Sequence, residues 1–551
     1  MLRFSKVDLN QECYSGYSFQ HNQMRYAQSD SQGLWNKAPI AALAVYLLWA
    51  CILGFRSPGM NYDEAVFLNG AVQVLQSGQE PSFAHDPWSW GTAFGRRWPI
   101  MVLPYAGALR EYLALIPFGI FGPNYYTARG LMALLGAFGI WGVSILVRSQ
   151  FGIEAAALVS WILAVHPAYL ALTIYDQGGV AEWMVPQAVF AIALAHYLKT
   201  RTSLAAFWLG AAMGFGAWSR ANFVWLLGSA LLAGMIVLRK RMLIRGRDLA
   251  ILVIGGILGG APLLWYEIQS HGATLAFRST NSQSLLSLAG HRFNLLSQTF
   301  LYDSEHRAIW TEFPMPLWQK VFFSSLVVVA LLVCLTGPEI RKPARMAALI
   351  FLALLACMLS SRLNISDHHL IALVPIAALL VVVTGQECCR RWPASRRLAA
   401  AIAGIYLVSA LYWNVTAARQ TRLTGGIGIW SNAIDSVRSY LQQNYPGRRI
   451  KVLDWGFQNS LFVLSNAKLA TTELFWGATV EGSGLGKLWK DEIAPGDVYL
   501  LHAPSLAQFP EAAQGLSRAL TASALAVRRA QFTQNSGAGY AEVIEIVASS
   551  R

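Results

Sequence analysis

Two adjacent acidic residues, Asp63 and Glu64, are the first positions in the chain whose types and place suggest chemistry. They lie in the stretch 58–65 (PGMNYDEA), just after the first long apolar segment, 38–55. A carboxylate placed where a helix leaves the membrane can exchange a proton with a substrate that arrives from the lipid. An ordinary exposed loop has no need of such a pair there, so both residues are candidate catalytic groups.

The same pair also fits the start of a helix. Asn61 can cap it, Glu64 falls three residues later as in a capping box, and acidic residues in a first turn favour the helix dipole. Apolar residues then share one face: Ala65, Leu68, Val72 and Leu75. This pattern predicts a helix that lies on the membrane surface, with Asp63 at its N-terminal end. Capping explains Glu64 as well as catalysis does, whereas the box does not need Asp63.

Three arginines stand at the outer ends of predicted membrane helices, where the positive-inside tendency argues against them. They are Arg129, Arg220 and Arg362. Guanidinium groups at the depth of lipid headgroups suit a lipid-linked phosphate, which they bind through paired, charge-assisted hydrogen bonds. The alternative is that each side chain simply reaches towards headgroups.

Two further polar positions face the same side. Asp176 precedes Gly178-Gly179, which allow a tight turn, and it either assists at the site or caps the next helix. His368 lies in Asp367-His368-His369 at the start of the tenth apolar segment. Adjacent residues of a helix point about 100° apart and rarely hold one ion, so a polar lining role is predicted for His368 rather than a metal site.

The elements that must position these residues are membrane helices. The chain has 551 residues, of which 55% are hydrophobic and 13% charged, and its mean hydropathy is +0.40. Eleven apolar segments are long enough to span a bilayer: 38–55, 127–148, 153–171, 180–198, 203–219, 221–238, 248–267, 320–336, 344–361, 368–385 and 397–413. The sequence therefore predicts a polytopic α-helical membrane protein with 11 transmembrane helices.

The charge pattern predicts the orientation. A net charge of +14 could indicate nucleic acid, but the basic residues cluster in short connections between apolar segments, the usual place for topological signals. Basic connections alternate with connections nearly free of Lys and Arg. This alternation places the tail 1–36 in the cytoplasm of a cell with the chain in its inner (plasma) membrane, and nucleic-acid binding is not expected.

One more apolar segment, Pro104–Phe121, is predicted to lie along the outer membrane surface. A crossing there would reverse every later connection and place the basic cluster 239–247 outside. Arg110 and Glu111 within it suit an interfacial segment. The membrane domain 37–413 then has two large outer loops, 56–126 and 268–318.

The stretch 414–551 has the composition of a small extracytoplasmic α/β domain. A helix is predicted over 432–443, and strands over 450–453, 498–501 and 543–546. The glycine run 482–486 lacks a convincing preceding strand and is interpreted as a loop rather than a nucleotide-binding turn. The six cysteines form neither a disulfide framework nor a zinc signature.

Several short motifs, in their order along this topology, resemble one known group of proteins. The motifs are 61–65 (NYDEA), 104–109 (PYAGAL), 121–123 (FGP), Ala128-Arg129, Asp176, 262–266 (PLLWY) and 453–456 (LDWG). Together they resemble the membrane glycosyltransferases of the GT-C fold, in the group of protein O-mannosyltransferases and lipid A aminoarabinose transferases (glycosyltransferase family 39-like). The resemblance covers nearly the whole chain and is strongest over 56–270.

This resemblance implies transfer of a sugar, with inversion, from a polyprenyl-phosphate carrier to an acceptor on the outer membrane face. Asp63 corresponds to the base, and Arg129, Arg220 and Arg110 correspond to basic residues that bind the phosphate. The chemistry is self-consistent, because cations can stabilise a phosphate leaving group while a base takes the proton of an incoming hydroxyl. No metal-binding Asp-x-Asp is evident in the first loop, so no cofactor is implied and metal-independent catalysis is expected.

Two other classes are compatible with the composition. A secondary transporter would show paired halves and charged groups at mid-depth, whereas the charges here gather at the outer helix ends. A non-enzymatic envelope assembly protein would use the outer α/β domain for binding. For the enzyme, the expected partners are the lipid-linked donor, a glycan, lipid or protein acceptor, and membrane lipids.

Overall fold

A computed structural model describes the greater part of the chain. The described residues are 18–76, 87–176, 178–238, 246–277, 284, 286–293, 317–337, 340–361, 367–475, 493–523 and 525–547. Arg362 and the glycine run 482–486 lie outside these residues. Helices dominate residues 18–424, and a five-stranded sheet forms after residue 448.

Each of the eleven predicted segments coincides with a helix or with a bent pair of helices. In the membrane domain these are α1 Ser18–Leu53, α5 Tyr125–Phe151, α6 Ile153–Val165, α7 Pro167–Tyr175, α8 Ala181–Thr200, α9 Ser203–Ser219, α10 Phe223–Leu238, α11 Gly246–Gly259, α12 Ala261–Gln269, α14 Leu317–Thr336, α15 Lys342–Ser360, α16 Asp367–Leu370, α17 Val374–Arg391 and α18 Ser395–Thr424. Within the described residues, five helices are long and apolar enough to cross a membrane, or seven if each of two bent pairs is one span. The chain is therefore a multi-pass membrane protein.

Two predicted helices are bent rather than continuous. Between α6 and α7 the axis turns by 65° because Pro167 has no backbone N–H to continue the first helix. His166 sits at the break, and its Nδ1 accepts the Tyr169 N–H at 3.3 Å, which caps α7. The second bend, 62°, separates α11 from α12 and has Pro262 in the first turn of α12.

The first outer region folds as short elements packed on the helix ends. It contains α2 Tyr62–Val66, α3 Asn69–Leu75, β1 Trp90–Ala93, β2 Arg96–Pro99, β3 Met101–Leu103, β4 Ala106–Gly107 and α4 Leu109–Phe121. The single helix predicted after Asn61 is thus two helices, divided at Phe67–Leu68. A short helix α13, Ala273–Ala276, follows α12.

Helix α4 differs from the prediction in where the side chains of Arg110 and Glu111 point. Arg110 and Glu111 are fully buried in the protein, while Ile116, Ile120 and Phe121 are exposed. The apolar side of α4 therefore faces outwards and its charged side faces inwards. A helix with this arrangement suits contact with lipid only if each buried charge finds a partner inside the protein.

The C-terminal domain contains α19 Ala433–Asn444, β5 Arg449–Val452, α20 Gln458–Leu464, β6 Ala470–Glu473, β7 Val498–His502, α21 Pro510–Ser523, β8 Ala526–Thr533 and β9 Gly539–Val547. Its sheet has the order β6-β5-β7-β9-β8, in which β5 is parallel to both neighbours and β9 is antiparallel to both of its own. The three predicted strands and the predicted helix are present. Helix α18 runs to Thr424, so regular membrane-type helix extends beyond residue 413.

Candidate active site

Asp63 lies in the first turn of α2, at the meeting point of the first outer region and the helix ends. Asn61 caps this helix, since its side chain accepts the Asp63 N–H at 2.9 Å. The Asp63 carboxylate is partly buried and forms no hydrogen bond within the described residues. Burial raises the pKa of Asp63 above its ordinary 3.8, and the positive charges of His368 and Arg220 offset part of this rise.

The neighbouring Glu64 is paired with Arg129. Arg129 Nε and Nη2 donate to the two Glu64 carboxylate oxygens, each at 2.7 Å, and both side chains are fully buried. Three more N–H groups of Arg129 reach the carbonyls of Phe55, Pro58 and Gly59. Since a guanidinium has five N–H donors, all five are used on protein acceptors. A phosphate role for Arg129, or a catalytic role for Glu64, would require this pair to open.

Arg110 and Asp176 form a second buried ion pair. Asp176 ends α7 in the left-handed conformation, with φ +38°, and its other carboxylate oxygen accepts the Ala181 N–H at 3.1 Å. The side chain of Asp176 thus holds α7, α4 and the start of α8 together. The negative charge of Asp176 also raises the pKa of the nearby Asp63.

Arg220 faces Asp63 from the end of α9. Its Nη1 donates to the carbonyls of Gly178 and Gly179 at 2.5 and 2.9 Å, and its Nη2 lies 2.9 Å from His369 Nε2. Gly179 has φ +80°, a conformation that favours glycine. Arg220 also lies over the Tyr105 ring, 5.8 Å from its centroid. Only a 4% exposed fraction remains, so its charge acts in a confined site.

His368 completes this side of the site. Its ring lies 4.1 Å from that of His369 between centroids, and both histidines line a narrow cleft with Arg220, Gly178 and Gly179. No group of three metal-binding side chains exists among the residues that the structure describes. The described site therefore brings together Asp63, Arg220, His368, Asp176 and Arg110, with the Glu64–Arg129 pair beside them. Arg362 is not among the described residues.

Two buried acids near the site are not among the site residues predicted from the sequence. Glu182 and Glu111 are both fully buried, and the charges of Asp176, Arg110 and Arg220 act on Glu182. A charged residue inside an apolar segment is itself a signal of function, and Glu182 within 180–198 carries that signal. For Glu111 the sequence predicts only an interfacial position, because its burial depends on how α4 packs.

Glu111 gives the fold a pH dependence. Its Oε1 accepts the Gly70 N–H at 2.7 Å, and burial raises its pKa from 4.5 to about 8. Between pH 4.5 and about pH 8, Glu111 holds a proton in the folded chain that it releases in the unfolded chain. The free energy of unfolding therefore falls as pH rises, by up to about 1.4 kcal/mol per pH unit. We expect Glu111→Gln to flatten this slope. Thermal denaturation midpoints from pH 5 to pH 9 would measure it, with exposed Glu154→Gln as the control that keeps the slope.

The C-terminal domain packs against α2, which carries Asp63, and against α3. Asn69 Nδ2 donates to Asn459 Oδ1 at 2.5 Å, with both residues fully buried. The rings of Tyr62 and Trp455 lie 4.7 Å apart. In addition, the Gly59 N–H donates to the Trp430 carbonyl at 2.7 Å. The segment 59–69 is therefore fixed by the C-terminal domain on one side and by Arg129 on the other.

The buried Asn69–Asn459 bond provides a test of this contact. Asn69→Ala leaves the buried Asn459 amide without its donor, which typically costs about 1–3 kcal/mol, so we expect a lower thermal midpoint and lower activity. Gln76→Ala is the matched control. The side-chain amide of Gln76, at the exposed end of α3, donates a hydrogen bond of the same kind to Asn466 Oδ1 at 3.0 Å. Equal effects of the two substitutions would contradict a special role for the buried bond.

Comparison with known proteins gives a structural likeness without a sequence match. No protein-family model and no curated protein matches the chain. The structure resembles ArnT from Cupriavidus metallidurans bound to undecaprenyl phosphate, with 15% identity, coverage of 93% of this chain and 98% of that one, and a TM-score of 0.61. ArnT in the apo state gives 15% identity, 94% and 98% coverage and a TM-score of 0.59. ArnT has the GT-C fold, and this chain therefore has the GT-C fold.

Proposed function

We propose that the chain is a membrane glycosyltransferase. It moves a sugar from a polyprenyl-phosphate donor to an acceptor hydroxyl on the extracytoplasmic face, with inversion and with Asp63 as general base. The chain lies in the inner (plasma) membrane with its N-terminus in the cytoplasm and its C-terminal domain outside. The likeness to ArnT, whose structure holds undecaprenyl phosphate, supports the donor class.

One observation carries this proposal: Asp63 is the partly exposed carboxylate of the cluster, whereas the other acids described there, Glu64, Glu111, Asp176 and Glu182, are fully buried. Glu64 is held by Arg129, Asp176 by Arg110 and the Ala181 N–H, and Glu111 by the Gly70 N–H. The Asp63 carboxylate is partly exposed and accepts no described hydrogen bond. It can therefore receive a proton without first breaking a structural contact.

The charges around Asp63 fit the proposed reaction. As the acceptor oxygen bonds to the anomeric carbon, its proton passes to Asp63 and the bond from that carbon to the phosphate oxygen breaks. The leaving phosphate gains negative charge, and the Arg220 guanidinium is a cation close to Asp63, with His368 lining the same cleft. Preorganised cations stabilise such a charge most effectively where water is excluded, and Arg220 is almost fully buried.

The pH profile of transfer tests the role of Asp63. We expect activity to require the ionised carboxylate and to fall on acidification, with a midpoint above 3.8 because burial raises the pKa of Asp63. The measurement uses the purified chain in liposomes with a polyprenyl-phosphate sugar and follows transfer from pH 4 to pH 9. NMR of the product would show whether the anomeric configuration is inverted. Retention of configuration, or activity that does not fall in acid, would contradict the proposal.

A further inference from the structure

An apolar groove opens beside the membrane helices, and Asp63, Arg220 and His368 are not among the residues that line it. It lies between the β1–β2 hairpin, α4, the end of α9 and the start of α12, and its volume is about 630 Å³. The side chains that line it are mostly aromatic: Trp98, Tyr112, Trp218, Trp265, Ile100 and Pro262. Such a lining excludes water and suits a hydrocarbon chain.

The surroundings of the groove are those of a surface in contact with lipid. Phe94 at the hairpin tip is 99% exposed. Ile116 and Ile120 of α4 and Ile268 of α12 are also exposed. Large apolar side chains exposed together mark an interaction surface, and aromatic residues favour the level of the headgroups. The groove therefore opens where bilayer lipids are available.

The two arginines of the hairpin lie on opposite faces of it and differ in their contacts. Residues that face each other across an antiparallel pair share a face, and successive residues alternate. Trp98 pairs with Gly91 and Arg96 pairs with Ala93, so Arg96 shares the face of Trp98, which lines the groove. Arg97 pairs with Thr92 on the opposite face. Thr92 also lines the groove, but the Arg97 guanidinium is engaged with the Trp90 ring, 5.6 Å from its centroid.

We propose that this groove is a binding site for an anionic bilayer phospholipid. One acyl chain occupies the aromatic groove, and the headgroup phosphate pairs with Arg96 at the hairpin tip. The arginine and the apolar lining together match a ligand that is anionic at one end and hydrocarbon at the other. Arg96 is exposed whereas Arg220 is almost fully buried, so the phospholipid phosphate sits apart from the reaction centre. The site is independent of the proposed sugar transfer.

The two neighbouring arginines make a matched test. The purified full chain is exchanged into nanodiscs containing phosphatidylglycerol and phosphatidylcholine, and the lipids retained after release are counted by native mass spectrometry. We expect the wild type to retain phosphatidylglycerol in preference to phosphatidylcholine. Arg96→Gln should lower this preference about fivefold, as expected for one arginine near a membrane surface, while Arg97→Gln should leave it unchanged.

Trp265→Ala tests the groove itself, because Trp265 is partly exposed at its rim. We expect it to lower retention of both lipids without changing the preference between them. Equal effects of Arg96→Gln and Arg97→Gln, or no effect of either, would overturn the headgroup assignment. Displacement of the retained phosphatidylglycerol by an equimolar amount of undecaprenyl phosphate would overturn the occupant, because the groove would then belong to the donor.

Discussion

Asp63→Asn is expected to lower sugar transfer by a factor of about 10² to 10⁴, the usual contribution of a positioned general base. Asparagine keeps the volume of the side chain but cannot take the proton of the acceptor. The Asp63 carboxylate accepts no described hydrogen bond, so the substitution leaves no donor unpaired, and the cap depends on the Asp63 backbone N–H rather than its side chain. The variant should therefore fold and bind donor as the wild type does.

Initial rates at saturating donor, together with thermal denaturation midpoints, would check this expectation. Glu154→Gln is the control, because it removes one exposed carboxylate far along the chain from the site and should change neither quantity. If Asp63→Asn kept more than a tenth of the wild-type rate, another group would have to serve as base. If it lost activity only together with thermal stability, the result would support a structural role instead.

The overall architecture could be predicted from the sequence because the signals for each membrane helix lie within a short stretch of the chain. Apolar length and the placement of basic connections are properties of short windows, and the predicted segments coincide with helices. The bend at Pro167 was missed because the apolar run continues through it, although proline itself is a local signal. Helix α18 continues to Thr424, beyond the predicted apolar segment 397–413, because polar residues such as Asn414 occur inside a helix where they contact protein. The side chain of Asn414 donates to the Val165 carbonyl.

The candidate site could be predicted only as a set of residues. Asp63, Asp176, Arg220 and His368 were identified by their positions at outer helix ends, and the structure brings them together. Their partners were not readable, since Arg110 and Asp176 are 66 positions apart in the chain. A single sequence gives no measure of such pairing. Helix α4 packs against α3, α5 and α8. This packing, which the sequence does not reveal, determines that Arg110 and Glu111 are buried.

The buried ion pair with Glu64 gives Arg129 a structural role at the outer membrane face. The sequence offered two interpretations for Arg129, a phosphate ligand or a side chain reaching towards headgroups. In the structure Arg129 instead joins α5 to the segment 55–64 through Glu64 and three backbone carbonyls. The segment that carries Asp63 is thereby anchored to a membrane helix. We propose that the Glu64–Arg129 pair positions the base, and stability measurements separate this role from phosphate binding.

Arg129→Met should destabilise the protein by about 3–5 kcal/mol, because it leaves the buried Glu64 charge without its partner. Glu64→Leu should cost a comparable amount by leaving the Arg129 charge uncompensated, while the double variant Glu64→Leu/Arg129→Met should recover part of the loss. Thermal midpoints of the purified variants measure this cycle, with Arg148→Met as the control, since Arg148 is exposed on the same helix. A normal midpoint for Arg129→Met with a raised KM for the donor would instead assign Arg129 to the phosphate. Strong coupling between the two substitutions would show that Arg129 anchors the segment 55–64 through Glu64.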